Sequence, residues 1–298
     1  MHRSVWKEYS PSGFPCNNRA GVHSLWYSYR RALEPRRQFT EATILSRRRS
    51  RNPYDAAFFA LQAELGSKSA EIVVPVFLEV LKPYRVRSAV DVGCGVGVWL
   101  KALEHEGVDD ILGIDGPSLA MEHLVISEKR VIRTDLTGPI DVRRRFDLAI
   151  SLEVAEHLPE VAARDFVALL VRLSDVIVFS AAIPRQGGAG HVNEQWQDYW
   201  RKLFSERSYS VVDAIRPRIW DDERVAGYYR QNILIYVSSE RLNDLPQLEL
   251  VPPHRSIDLV HPQVYKSQKT LTFGAALRKL PGLFVTSLKK HMARRARG

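Results

Sequence analysis

Three glycines at alternate positions, Gly93, Gly95 and Gly97, follow directly on a short β-branched run, Ser88-Ala89-Val90-Asp91-Val92. A strand entering such a loop can turn sharply, and the missing Cβ atoms let a ligand approach the main chain. The stretch 99–107 then has helical spacing and stops at Gly107. Strand, glycine turn and helix in that order place the helix N-terminus where a nucleotide-type ligand binds. This one feature commits the chain to an α/β fold built around that turn.

The rest of the central sequence agrees. Strand patterns recur at 111–115, 131–135, 146–151 and 176–181, with helical patterns at 160–174 and 194–208 between or after them. Two helical segments, separated near Gly66, precede the first strand, and two final strands at 209–215 and 231–238 enclose a loop rich in Arg, Trp and Asp. Strands alternating with helices imply a parallel sheet with right-handed crossovers. The last pair, joined by a loop alone, implies an antiparallel hairpin at one edge. The expected fold is therefore α/β: a Rossmann-like doubly wound sheet, mostly parallel with an antiparallel terminal hairpin strand, its ligand at the carboxyl ends of the strands.

Charge divides the chain. The 298 residues carry a formal +9, which taken whole points to a polyanionic partner. Residues 1–51 hold 11 Lys and Arg against 3 acids, residues 266–298 hold 9 and none, and the stretch between is acidic by 8. The organisation this implies is a basic, poorly ordered N-terminal extension over 1–51, a catalytic domain over 52–240, a linker over 241–265 and a basic amphipathic tail over 266–298, interrupted at Pro281. An acidic central domain disfavours nucleic acid as partner, and the tail would give peripheral membrane contact. No apolar stretch approaches the roughly 20 residues of a membrane-spanning helix, and no secretory pattern opens the sequence. Two cysteines, Cys16 and Cys94, make neither a disulfide scaffold nor a cysteine-rich zinc site. The chain reads as cytoplasmic, at most peripheral to the inner face of the membrane.

The glycine loop reads D-x-G-x-G-x-G from Asp91 to Gly97. The dinucleotide fingerprint G-x-G-x-x-G would need glycine at 98, where the chain has Val98. There is no Walker A loop and no G-x-S-x-G nucleophile elbow. Asp115 ends the second strand, where a carboxylate can accept hydrogen bonds from both ribose hydroxyls, and Asp135 follows the third. In form and order these residues resemble class I S-adenosylmethionine (SAM)-dependent methyltransferases, over about 54–237. The resemblance implies that Asp91, Gly93, Gly95, Gly97, Asp115 and Asp135 bind SAM, with Asp135 toward the adenine amine. It also places Tyr54, Phe58 and Gln62 on a helix that folds over the cofactor. Acids around the pocket suit the sulfonium charge.

After the fourth strand, Glu153, Glu156 and His157 stand at i, i+3 and i+4, the spacing of one face of a helical turn. His191 follows the fifth strand in an H-x-N-E-Q-W setting. Two carboxylates and two imidazoles at one end of the sheet would suit a divalent cation, Mg²⁺ or Mn²⁺, held by Glu153, Glu156, His157 and His191. The other reading makes Glu156 and His157 a helix start and His191 an ordinary loop residue. Pro159 disfavours helical geometry at Leu158. The E-x-x-E-H pattern with a later His is similar to that of ubiquinone-pathway O-methyltransferases and of enzymes that 2′-O-methylate small-RNA ends.

SAM carries an activated methyl group, so the enzyme must align an acceptor and remove its proton. A sugar hydroxyl ionises too poorly to react unaided and needs a base or a metal. His191 is the first choice of base, with Glu153 and His157 beside it as catalytic candidates. Trp196, Arg218 and Trp220 are the candidates for holding the acceptor, with Arg216 and Asp221 near them. The stretches around 54–64, 190–200 and 216–225 also resemble bacterial methyltransferases associated with cell-surface glycan synthesis. The expected activity is O-methylation of a sugar or other small polar acceptor. RNA 2′-O-methylation and an inactive SAM-binding partner subunit stand as alternatives.

Overall fold

The computed structural model describes the backbone of residues 56–269 and the side chains of 65–266. Expectations for the extension over 1–51, for Tyr54, for the side chains of Phe58 and Gln62 and for the tail beyond residue 269 lie outside the described residues. Seven strands form one sheet: β1 (Ser88–Val92), β2 (Asp110–Asp115), β3 (Val131–Arg133), β4 (Leu148–Leu152), β5 (Val176–Ser180), β6 (Tyr209–Val212) and β7 (Leu234–Ser238). Their order is β3-β2-β1-β4-β5-β7-β6. The first five pair in parallel, whereas β7 runs antiparallel to both β5 and β6.

This is the expected fold with one refinement: the last strand inserts between β5 and β6. Alternate residues of the central strands feed two apolar cores. On β5, Val176 and Val178 join the core under α1 (Ala56–Leu81) and α2 (Val98–His105). Ile177 and Phe179 join the core under α3 (Ala163–Leu173) and α4 (Gln197–Ser205). β1, β4, β5 and β7 are buried on both faces, which is why their sequences read as near-continuous apolar runs. Trp200, Leu203 and Phe204 are core residues, as their helical spacing implies.

Three expectations need correction. No break occurs at Gly66: α1 is one 26-residue helix, and Gly66 packs so near α2 that a Cβ would lie 3.1 Å from Val98 Cγ2. A helix absorbs one glycine at a cost of about 1 kcal/mol, and this close approach compensates. The segment between the last two strands is not a plain loop. It forms α5 (Arg216–Ile219) and α6 (Gly227–Asn232), and Gln231 and Asn232 belong to that helix rather than to a strand.

Residues 241–265 are a strap rather than a free linker. Leu250 bridges to Val212, Val251 N–H donates to Val211 (3.0 Å), and Leu245, Ile257 and His261 are buried. Arg216, only 1% exposed, binds this strap at the Ile257 carbonyl and the body of the domain at the Gln231 carbonyl. Its other donors grip Asp213 at 2.6 and 2.8 Å. With its donors so engaged, Arg216 holds the fold together and does not face an acceptor.

Candidate active site

β1 and β2 end side by side, and the turn after β1 closes against β2. Gly93 N–H donates to the Ile114 carbonyl (2.7 Å), and Gly95 N–H to Asp115 Oδ2 (2.6 Å). Gly116 N–H donates to the other oxygen of Asp115, also at 2.6 Å. All three glycines adopt positive φ: 87° at Gly93, 52° at Gly95 and 89° at Gly97. A Cβ on Gly93 would lie 2.2 Å from Val154 Cγ2, whereas one on Gly95 would meet nothing within 4 Å. The first glycine is required by the protein itself, and the second leaves open space beside the cleft.

That cleft measures about 470 Å³ and lies at the carboxyl ends of the parallel strands, within the roughly 300–1,000 Å³ typical of small-molecule sites. Gly93, Gly95, Asp115 and Asp135 line one half. Desolvation holds the Asp115 carboxyl above its usual range, opposed by the two backbone donors. Asp135 lies just beyond β3 and is held low by the Thr137 N–H and hydroxyl. Two expected SAM residues stand back from the cleft lining. Gly97 caps α2, and Asp91 is buried beneath the loop with Oδ2 unpartnered, its carboxyl raised by desolvation and by Asp115.

The other half of the cleft is built from the turn after β4 and the loop after β5. Glu153, Glu156, His157 and His191 all line it, yet the four do not form one cluster. The turn is not α-helical: Glu153 takes φ 56°, Ala155–His157 form a single 3₁₀ turn, and Leu158 is extended ahead of Pro159. The i, i+3, i+4 spacing therefore does not align all three side chains. Glu153 turns instead to two amides, accepting from Gln186 Nε2 (2.7 Å) and Asn232 Nδ2 (3.0 Å). Burial raises its carboxyl, and these donors pull it back.

Glu156, His157 and His191 do converge, with ligand-capable atoms all within 4.8 Å of one another. The Glu156 carbonyl accepts the N–H groups of Val192 (2.8 Å) and Asn193 (3.0 Å), which ties the second loop to the first. The two imidazoles meet edge to face at 4.8 Å. Glu156 is fully buried with no side-chain hydrogen bond to either carboxylate oxygen, only the main-chain N–H groups of Glu156 and Ala182 favouring its charged form, and His191 Nε2 lies 4.0 Å from Oε1. Desolvation, then the Glu153 charge, raises the Glu156 carboxyl well above its ordinary value. Desolvation and His191 lower His157, which favours the neutral imidazole.

The acceptor candidates fare differently. Trp196 is 41% exposed at the start of α4, outside the cleft lining. Arg218 donates to the Ala214 carbonyl, and the Trp220 ring stacks edge-on against His261 at 4.6 Å. Neither lines the cleft; from this segment Tyr228 and Tyr229 do so instead. The sequence between the last two strands shows no helical period, so α6 is not evident from it, and the Tyr-Tyr pair ahead of a strand is the signal it offers.

Over residues 57–213, more than half of its length, the sequence matches the family described as "Methyltransferase domain". The chain belongs to this family. It is a SAM-dependent methyltransferase, and the site fits the cofactor: an open glycine cradle with a carboxylate at the end of the neighbouring strand. Solved structures similar to it include the methyltransferase domain of bacterial-CtHen1-C (19% identity, 58% of this chain and 98% of that one, TM-score 0.43). Magnesium protoporphyrin IX methyltransferase from Synechocystis PCC 6803 with bound SAH is similar at 17% identity, 72% and 95% coverage and TM-score 0.44. DesVI from Streptomyces venezuelae is similar at 14%, 62% and 99%, and 0.44. No curated protein matches the chain. Among the described residues, no helix is long and apolar enough to cross a membrane.

Proposed function

We propose that this methyltransferase transfers the methyl group of SAM to a hydroxyl of a sugar or other small polar acceptor, assisted by a divalent cation. The observation that carries the reading is the fully buried Glu156 carboxyl, with no side-chain hydrogen bond to either oxygen and two imidazoles beside it. Burial disfavours the charged form of this carboxyl, and a divalent cation is a partner that would let it ionise there. Glu156, His157 and His191 would hold the ion, and a bound divalent cation lowers the pKa of a coordinated hydroxyl. Glu153, fixed by its two amides on the same wall, accepts a hydrogen bond from the acceptor and orients it. Tyr228 and Tyr229 line the same cleft, Tyr229 edge-on to Trp99 at 5.0 Å.

The sequence resemblance to methyltransferases associated with cell-surface glycan synthesis supports a carbohydrate acceptor. The test is incubation with labelled SAM and fractionated host extract, with and without Mg²⁺ or Mn²⁺. Label in a glycan fraction that is lost after EDTA and restored by Mn²⁺ is the expected result. Label in RNA would replace the acceptor assignment, and full turnover after exhaustive EDTA treatment would remove the cation.

A further inference from the structure

Glu194 lies outside the cleft lining, yet it organises the loop that carries His191. Its Oε2 accepts the Arg185 N–H (2.7 Å), and its Oε1 accepts the Gly187 N–H (2.7 Å) and lies 3.0 Å from His191 Nδ1. Arg185 and Gly187 both have φ 73°, so the main chain curls around this one carboxylate. An ionised carboxylate has lone pairs and no hydrogen to give. Nδ1 of His191 must therefore be the donor, and in the neutral ring Nε2 keeps its lone pair. That nitrogen is the one 4.0 Å from Glu156 Oε1. Gly188 packs beneath the same ring, so the imidazole has one seat.

We propose that Glu194 is a positioning residue of this site: it fixes His191 in the Nδ1–H tautomer and turns the Nε2 lone pair toward Glu156 and His157. Carboxylate partners of this kind set ring orientation and basicity for metal-binding histidines, and their loss weakens binding by about 10- to 100-fold. The use of that lone pair for a cation rests on the proposed function; the tautomer does not.

The test is a long-range ¹H–¹⁵N correlation of the histidine rings in the full chain at about pH 8, where an unperturbed imidazole is neutral. The His191 signal is assigned by its loss in His191→Gln. Wild-type protein should show the proton on Nδ1. Glu194→Ala should show Nε2–H and bind Mn²⁺ about 10- to 100-fold more weakly by calorimetry. Glu194→Gln keeps a carbonyl acceptor, so it should retain Nδ1–H with a smaller loss of Mn²⁺ affinity. SAM affinity is the control for folding. A His191 proton on Nε2 in the wild type, or an unchanged tautomer in a SAM-binding Glu194→Ala, would overturn the proposal. Should Glu194→Ala fail to bind SAM, the wild-type tautomer decides alone. Absence of Mn²⁺ binding by the wild type would remove the cation reading and leave the tautomer to judge Glu194.

Discussion

His191 sits directly over Gly188: a Cβ on that glycine would lie 2.1 Å from Nε2 of the ring. The glycine main chain is not left-handed there, and the three atoms nearest the added Cβ all belong to the imidazole. Gly188→Ala should push His191 out of the Glu156–His157 cluster while the fold stays intact. Calorimetry should show Mn²⁺ affinity reduced at least about tenfold. The unfolding free energy should fall by about 1–3 kcal/mol, the cost of displacing the ring. An unchanged affinity would mean that the ring does not contribute.

Gly93 and Gly95 differ in what a side chain would meet. Gly93→Ala meets Val154 and forces a side chain into a left-handed conformation, so it should cost about 1–3 kcal/mol in urea unfolding. At Gly95 an added Cβ meets no protein atom within 4 Å, but Gly95→Val forces a β-branched residue to φ 52° and fills the backbone approach, so it should abolish SAM binding at a backbone cost of about 1–3 kcal/mol. Measured by calorimetry, unchanged affinity in Gly95→Val would refute the cradle.

Asp91 gives a pH dependence. Its carboxyl is raised well above the ordinary value in the folded protein, by desolvation first and the Asp115 charge second. The folded state therefore binds this proton more tightly than the unfolded chain does. The stabilisation is complete below the unfolded value of about 3.9 and is lost as pH rises through the raised folded value. Asp91→Asn removes the titration. Its melting temperature relative to wild type should climb as pH rises from about 4 toward neutrality. A constant difference across that range would contradict the raised value.

Arg216 anchors the strap. Arg216→Leu leaves Asp213 and the carbonyls of Gln231 and Ile257 without their cation, and should lower stability by about 3–5 kcal/mol. Adding Asp213→Asn should recover part of the loss, because the uncompensated carboxylate goes with it. Urea midpoints of the two variants provide the comparison.

Strand positions were legible in the sequence because parallel strands buried on both faces leave unbroken apolar runs, as at Val176–Ser180. The donor half of the cleft was legible for a related reason: Gly95 and Asp115 follow strand ends directly, so sequence position fixes place. The acceptor half was not. Glu153 departs from its helical spacing through a left-handed backbone that no pattern of residue types announces. Asn232, Gln186 and Glu194 act through side-chain amides and a carboxylate that meet partners up to 79 residues away. Such pairings are set by tertiary packing, and their residue types are those of any polar loop.

The insertion of β7 between β5 and β6 also sets an order of assembly. As the chain leaves the ribosome, β1 to β5 can pair among themselves, and with them the glycine loop and Asp115 are complete. β6 emerges next but has no neighbour until β7 arrives to join it to β5. Asn232, which secures Glu153, immediately precedes that strand. Within the sheet, the strands that carry the glycine loop and Asp115 need no partner made after β5, whereas the amide that holds Glu153 comes only with the segment leading into β7.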